Sequence, residues 1–504
     1  MPKESHHHVI KDPIHGVMQW EHPIYKNIVK PIIDVPAFQR LRYIYQLGMT
    51  DKVFPGSTHT RFAHSLGCCH IANRIFHKLF TPLLTTENIE LNQETYNQLE
   101  TYTIVASLLH DIGHGPFSHA FERFFKKKFD DKFDNFQISH EEWTRNFLFK
   151  DMKPILKSIF KNSPQKLDEH IENIYALISH DHTNLKVTDP SLKEWMPLVG
   201  DIISSQLDAD RMDYLLRDGH FCGVAYGTFD LEWMLNSLSY EKTKNENHLS
   251  ITRKGIGAVE HFLAARRLMT QNIYHHLKVK AEEEVMVELL LKLHNDKLKH
   301  LVSNNLFQFL NVIERIHQNT QKGESKEKEI EKQIIKESFD FYKKITDFDI
   351  SDAIRDIIEC ENPNEKIREF QSFAKVLYYR NRWPIAWKLD TNRRGIIEII
   401  DEAKKELHLE ESEHWKLAII EYPFKMLKTD QNPILVSDDY QTKLGSNLQG
   451  LSEFAKQMGD RPEMILFLSI HHELTGSDVI KKLHKRLLNE QFFALPPPLP
   501  PKKR

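Results

Sequence analysis

The stretch from Thr103 to His119 limits the fold of this chain more than any other, because helical apolar spacing runs into it and then stops. Apolar residues recur through Thr103–Ile112 as they do on a helix facing a core, so a buried helix is predicted there. Its end carries His110 and Asp111, polar groups that are costly in an apolar segment unless they are paired or bind something. On a continuous helix His110 and His114 fall at i and i+4 on one face. Gly113, Gly115 and Pro116 then break the helix and turn His119 back towards the same region. Imidazole and carboxylate are donors that first-row divalent metals prefer. The segment therefore reads as a metal site with histidines left over for chemistry.

Two other segments supply partners. In His59-Thr-Arg61-Phe-Ala-His64-Ser-Leu-Gly67, Arg61 and His64 are three apart and share a helical face. In Asp208–Asp218, the residues Asp210, Tyr214 and Asp218 fall at i, i+4 and i+8, a polar stripe beside Leu215 and Leu216. Alone, His64 reads as a hydrogen-bonded or surface histidine and the stripe as a solvated helix face. Together, in the order His, His-Asp, Asp, they resemble the signature of the HD-domain phosphohydrolases.

The resemblance is narrower than that signature. Asp12-Pro-Ile-His15-Gly16, the run Ile33–Gly48, Phe54-Pro55-Gly56-Ser-Thr-His59 and His114–Glu122 all resemble deoxynucleoside triphosphate triphosphohydrolases of the SAM-and-HD-domain type, over about Val9 to Glu284. That resemblance implies a mainly helical HD core and a reaction that splits a dNTP into deoxynucleoside and triphosphate. It implies His64, His110, Asp111 and Asp210 as ligands of one divalent ion, Mn, Fe, Zn, Ni or Mg, with a second Mg accompanying the nucleotide phosphates. It places His114, His119 and His140 beside the metal, with Glu122 orienting one of them and His119 giving a proton to the leaving oxygen. Phosphate contacts map to Arg61, Arg211 and Arg266, where Arg211 replaces a Lys of the relatives. Sugar and base contacts map to Gln46, Leu47, Tyr214, Asp218, Tyr274 and His275, the last replacing a Gln. An activator site for GTP or a dNTP at a subunit interface maps to Val9, Asp34, Gln39, Arg42 and Lys254, with His8 in place of a Lys and Ala258 in place of an Asn. A homo-oligomer, dimer or tetramer, follows from such a shared site. The alternatives are an HD phosphatase or phosphodiesterase acting on another nucleotide, and a nucleotide sensor without turnover.

Composition narrows the classes further. Only 18 of 504 residues are Gly and helical periodicity dominates, so a mainly α fold with a smaller α+β C-terminal region is expected. A net charge of −3 argues against a globally basic nucleic-acid binder. Cys68, Cys69, Cys222 and Cys360 show neither metal spacing nor a disulfide framework, which suits a reducing cytoplasm. No apolar run of membrane-spanning length and no signal-like N-terminus is visible.

Along the chain, residues 1–58 read as an N-terminal strand or turn segment with the activator motif and a Phe38–Leu47 helix. Residues 59–300 read as the HD core, with a surface insertion at Thr85–Glu100 and a β-hairpin at Ser239–Thr252. A helical extension is expected over 301–378, entered through the charged segment Gln318–Gln333. A small α+β region is expected over 379–494, with strands near Trp415–Ile420, Pro433–Val436 and Met464–Leu468. Residues 495–504 form a proline-rich basic tail.

Overall fold

A computed structural model describes residues 8–379 apart from 86–90, 134–135, 162–165, 180, 244, 295, 321–325 and 362, and within 380–489 the elements named below. The fold is mainly α, with small sheets. The chain enters through a hairpin, β1 (His8–Asp12) and β2 (Gly16–Trp20), whose turn needs Gly16 at φ 67°. Helices Arg61–Thr85, Gln93–Leu109 and Ala209–Cys222 pack around one core that contains Phe76, Phe80, Tyr102, Ile104, Met212 and Leu215. Each such side chain stabilises the fold by about 1.5–3 kcal/mol at most through burial.

Local chemistry sets where these helices begin. Asn92 accepts the Thr95 N–H and Asp208 accepts the Arg211 N–H, each satisfying an amide that has no partner inside its helix. Gly223, at φ 69°, closes helix Ala209–Cys222 in the left-handed conformation.

Three expectations for this region need correction. The helix through the His-Asp pair runs from Gln93 to Leu109, so it starts inside the stretch read as an insertion, where Thr95, Tyr96, Leu99 and Glu100 are buried. It also ends before His110, so His110 and His114 do not share a helical face. The Phe38–Leu47 helix is only a short turn, Pro36–Gln39 and Arg40–Tyr43, after which Ile44 is extended. The competing partner is the segment before helix Arg61–Thr85: Gln46 N–H bonds the His59 carbonyl and Arg61 N–H bonds the Ile44 carbonyl, each at 3.0 Å.

The hairpin falls where expected, as β3 (Leu238–Thr243) and β4 (Glu246–Thr252). Helices Glu327–Tyr342, Asp347–Glu359 and Glu365–Tyr378 continue the same core. Beyond them β5 (Ile385–Leu389), β6 (Leu417–Phe424) and β9 (Glu463–Ile470) form an antiparallel sheet in the order β5-β9-β6. With helices Ile396–Glu406 and Asp478–Asn489 it encloses a second core of Ile400, Leu417, Leu468, Ile470 and Leu487. Between them, β7 (Leu435–Ser437) returns to pair in parallel with β4 and, on its other side, antiparallel with β8 (Ser446–Asn447). Ile434, Val436 and Leu448 thereby join the large core. Among the described residues no helix is long and apolar enough to cross a membrane. The proline-rich tail lies outside the described residues.

Candidate active site

Three helix ends meet at one point. His64 comes from the first turn of helix Arg61–Thr85, His110 and Asp111 from the turn ending Gln93–Leu109, and Asp210 from the first turn of Ala209–Cys222. His64 Nε2 lies 3.2 Å from His110 Nε2, 3.0 Å from Asp210 Oδ1 and 3.6 Å from Asp111 Oδ2. His110 Nε2 is 3.5 Å from Asp111 Oδ1 and 3.6 Å from Asp210 Oδ1.

The donor set fits a divalent ion, since two neutral imidazoles and two carboxylates would balance its charge. Without a cation, burial by itself would keep His64 neutral, but Asp210 and Asp213 outweigh it and push the imidazole up to about 9. Burial likewise works against the Asp210 charge, yet His110 and His64 hold this carboxyl far below the usual range. The point calls for positive charge. His64, His110 and Asp210 form one group that could hold a metal ion, and Asp111, His114 and His140 form another beside it.

Each imidazole of the cluster is fixed from behind. His110 Nδ1 bonds the Ser107 carbonyl at 2.9 Å, and His64 Nδ1 bonds Asp213 Oδ2 at 2.8 Å, so both Nε2 atoms face the site. Asp213 is fully buried and also takes His15 Nε2 at 2.6 Å and Arg217 Nε at 2.8 Å, while Arg217 Nη1 reaches Asp12 at 2.8 Å. Sequence reasoning placed Asp12 and His15 in a motif but gave neither a role, because 198 residues separate His15 from Asp213. The visible signal was Asp213 itself, three residues from Asp210 and four from Arg217.

The remaining histidines form a second layer. His114 Nε2 lies 3.2 Å from Asp111, and its ring stacks on His140 at 3.8 Å between centroids. Glu122 bridges the other two, with Oε2 2.9 Å from His119 Nδ1 and Oε1 2.8 Å from His140 Nδ1. Burial would favour a neutral Glu122, but His119 and His140 hold it well below the usual carboxylate range. Gly113 is required where this layer packs, since a Cβ there would stand 2.1 Å from the His140 carbonyl.

These groups open into a cavity of about 550 Å³. Gln46, Leu47, Arg61, His114, His119, His140, Tyr214, Asp218, Arg266, Tyr274 and His275 line it, together with Asp111 and Asp210. Arg61 donates to Asp111 at 2.5 Å and to Ser118 Oγ at 2.9 Å. Asp218 is held between His59 Nε2 at 2.7 Å and the Tyr274 hydroxyl at 2.8 Å. Arg211 is not among the lining residues; its guanidinium bonds Asp208 and the Ser205 carbonyl. Lys280 and Glu283, an ion pair at 2.7 Å, line the cavity although nothing in their spacing marks them for it. Their position on helix Leu277–Lys292 reads as core until the helix is placed.

The activator positions divide. Arg42 Nε bonds Gln39 Oε1 at 2.8 Å and its guanidinium stacks 3.5 Å over the Phe62 ring, while the exposed Asp34 pairs with the exposed Lys30. Val9 is 56% exposed on β1, and Lys254 is exposed on the turn after β4.

Residues 61–218 match the HD domain family. The chain is 32% identical over 290 residues to the uncharacterized protein YwfO of Bacillus subtilis, covering 57% of this chain and 56% of that one. It is 29% identical over 297 residues to the deoxynucleoside triphosphate triphosphohydrolase SAMHD1 of Gallus gallus, covering 55% of this chain and 44% of that one. The resemblance to HD-domain dNTP triphosphohydrolases is thus shown over about half of the chain, and the match spans only about half the length of these curated relatives. The structure of a phosphohydrolase from Bacteroides thetaiotaomicron has the same fold, with a TM-score of 0.68 at 21% identity, covering 93% of this chain and 100% of that one.

Proposed function

We propose that this chain, whose residues 61–218 match the HD domain family, is a metal-dependent dNTP triphosphohydrolase that releases deoxynucleoside and inorganic triphosphate. One observation carries the reading: the His64–His110–Asp111–Asp210 cluster presents Asp111 and Asp210, beside Arg61 and the Glu122-held His119, to a cavity that Asp218 and Tyr274 also line. A divalent ion held by those four residues would act as a Lewis acid on a phosphate oxygen and lower the pKa of a bound water.

The chain's own groups do the rest. Arg61 and Arg266 bring cationic donors to the phosphates, whose charge must be balanced as the site excludes water. Water adds at the α-phosphorus, and the bond from that phosphorus to the 5′ oxygen breaks. Glu122 holds His119 through Nδ1 and leaves Nε2 to give its proton to the departing 5′ oxygen. Asp218, fixed by His59, accepts from the deoxyribose 3′-hydroxyl. Tyr274, fixed on Asp218, stands against the sugar where a 2′-hydroxyl would need room.

The reading extends to a cytoplasmic homo-oligomer activated by GTP or a dNTP near Val9, Asp34, Gln39, Arg42 and Lys254. A second reading, an HD phosphatase acting on another nucleotide, is favoured by Arg211, whose guanidinium is engaged by Asp208 and does not line the cavity. Product analysis separates the two. Purified protein with Mn²⁺ is given each dNTP alone and then with GTP. Deoxynucleoside with intact triphosphate is expected; mono- or diphosphate products would move the assignment to the second reading.

A further inference from the structure

The loop Gly113–Ser118 carries His114 and delivers His119, yet it holds Phe117 and Ser118 at φ of 51° and 52°. L side chains avoid that region, and such backbone persists only where its surroundings hold it in place. Two of the holding side chains, Tyr342 and Asp347, lie far beyond the HD match at 61–218. Asp347 is 1% exposed and accepts two backbone amides, Phe117 N–H through Oδ1 at 2.8 Å and Tyr45 N–H through Oδ2 at 2.8 Å. The Tyr342 hydroxyl donates to the Gly113 carbonyl at 2.7 Å. Arg40 closes the frame, donating to the His114 carbonyl at 2.9 Å and the Ile345 carbonyl at 3.1 Å.

Both amides belong to backbone that shapes the cavity. Tyr45 precedes Gln46 and Leu47, and its carbonyl accepts from Ser118 Oγ at 3.3 Å. That same hydroxyl oxygen accepts from Arg61 Nε at 2.9 Å. One carboxylate therefore ties the wall that carries Gln46 to the loop that carries His119. It lies behind both and does not line the cavity.

We propose that Asp347 is a positioning residue, which sets the orientation of His119 and the Arg61–Ser118 contact by accepting the amides of Phe117 and Tyr45. No other group type of that size does the same job. A carboxylate offers an acceptor to each N–H, whereas an amide in its place must turn its own NH2 against one of them. An unmet buried amide would then compete for solvent, and the loop would open.

The test is hydrogen exchange on the full chain, wild type against Asp347→Asn, read at the Phe117 and Tyr45 amides with metal content measured in parallel. Exchange at one or both amides should rise at least about tenfold, with helix Gln93–Leu109 and metal content unchanged. The kinetic readout alone rests on the proposed triphosphohydrolase activity: kcat should fall roughly 10–100-fold with KM nearly constant, as a misplaced reacting group would give. Unchanged exchange, or a rise in KM at constant kcat, overturns the assignment. If Asp347→Asn does not fold, Tyr342→Phe removes one bond from the same frame. Faster exchange confined to residues 113–118 then supports the frame, and none rejects it. A wild type that releases no triphosphate defeats the enzymatic reading, while the exchange result still decides the role of Asp347.

Discussion

The two sides of the cavity are built by opposite rules. On the metal side every imidazole is buried and backed by a further group: His64 by Asp213, Asp213 by His15 and Arg217, and Arg217 by Asp12. On the transfer side His119 is 67% exposed and its ring is anchored by Glu122. Burying charge is costly unless every member is paired and hydrogen-bonded, so a buried cluster must be braced in depth. A proton donor that meets an incoming nucleotide has to stay accessible. The histidine–aspartate side is braced because charge converges there, and in the proposed reaction the exposed His119 is the group left open to the nucleotide.

The largest expected effect strikes the braced side. His64→Ala removes a central donor, so metal content after dialysis should fall below detection and product release should stop; retained metal would show that the cluster is not the binding point. On the open side, His119→Ala should lower kcat by roughly 10²–10⁴-fold and leave metal content unchanged. Persistent turnover would move proton donation to His114 or His140. Asp213→Asn tests the bracing, since an amide cannot compensate both His15 and Arg217. Metal affinity should drop about 10–100-fold in a competition titration, and an unchanged affinity would reduce Asp213 to a packing role.

The smallest effect concerns stability. Glu282, between Lys280 and Glu283 on helix Leu277–Lys292, is fully buried, and neither carboxyl oxygen has a hydrogen-bond partner among the described residues. Burial pushes it up to about 8, with Lys52 opposing. The folded chain therefore keeps a proton that the unfolded chain gives up near 4.5, and stability falls as pH rises between those values. Glu282→Gln should flatten that slope and raise the melting temperature at pH 8 by a few degrees. A slope equal to wild type would place the charge elsewhere.

Part of the metal side was legible because its chemistry is written in local order. His110-Asp111 stood out from residue type and spacing, His64 and Asp210 joined it through the resemblance to HD-domain phosphohydrolases, and the structure brings the four together. Their bracing was not legible, because Asp12 and His15 reach Asp213 and Arg217 only when the hairpin folds against helix Ala209–Cys222. Periodicity also misjudged boundaries. Nothing local ends a helix after Tyr43; pairing of residues 44–46 with residues 59–61 does. Thr85–Glu100 looked polar enough for an insertion, yet its second half begins the helix that delivers His110.

By itself the sequence determined the kind of fold and the kind of chemistry: helical periodicity calls for a helical core, and histidines beside aspartates at helix ends call for a cation. Only the tertiary structure decided which groups hold those residues still. Asp347 stands 230 residues from Phe117 and 302 from Tyr45, and no spacing rule connects them. Periodicity reports which face of an element is apolar. Hydrogen bonds to backbone amides depend on where two distant elements come to rest, and that is set by the packing of the whole core.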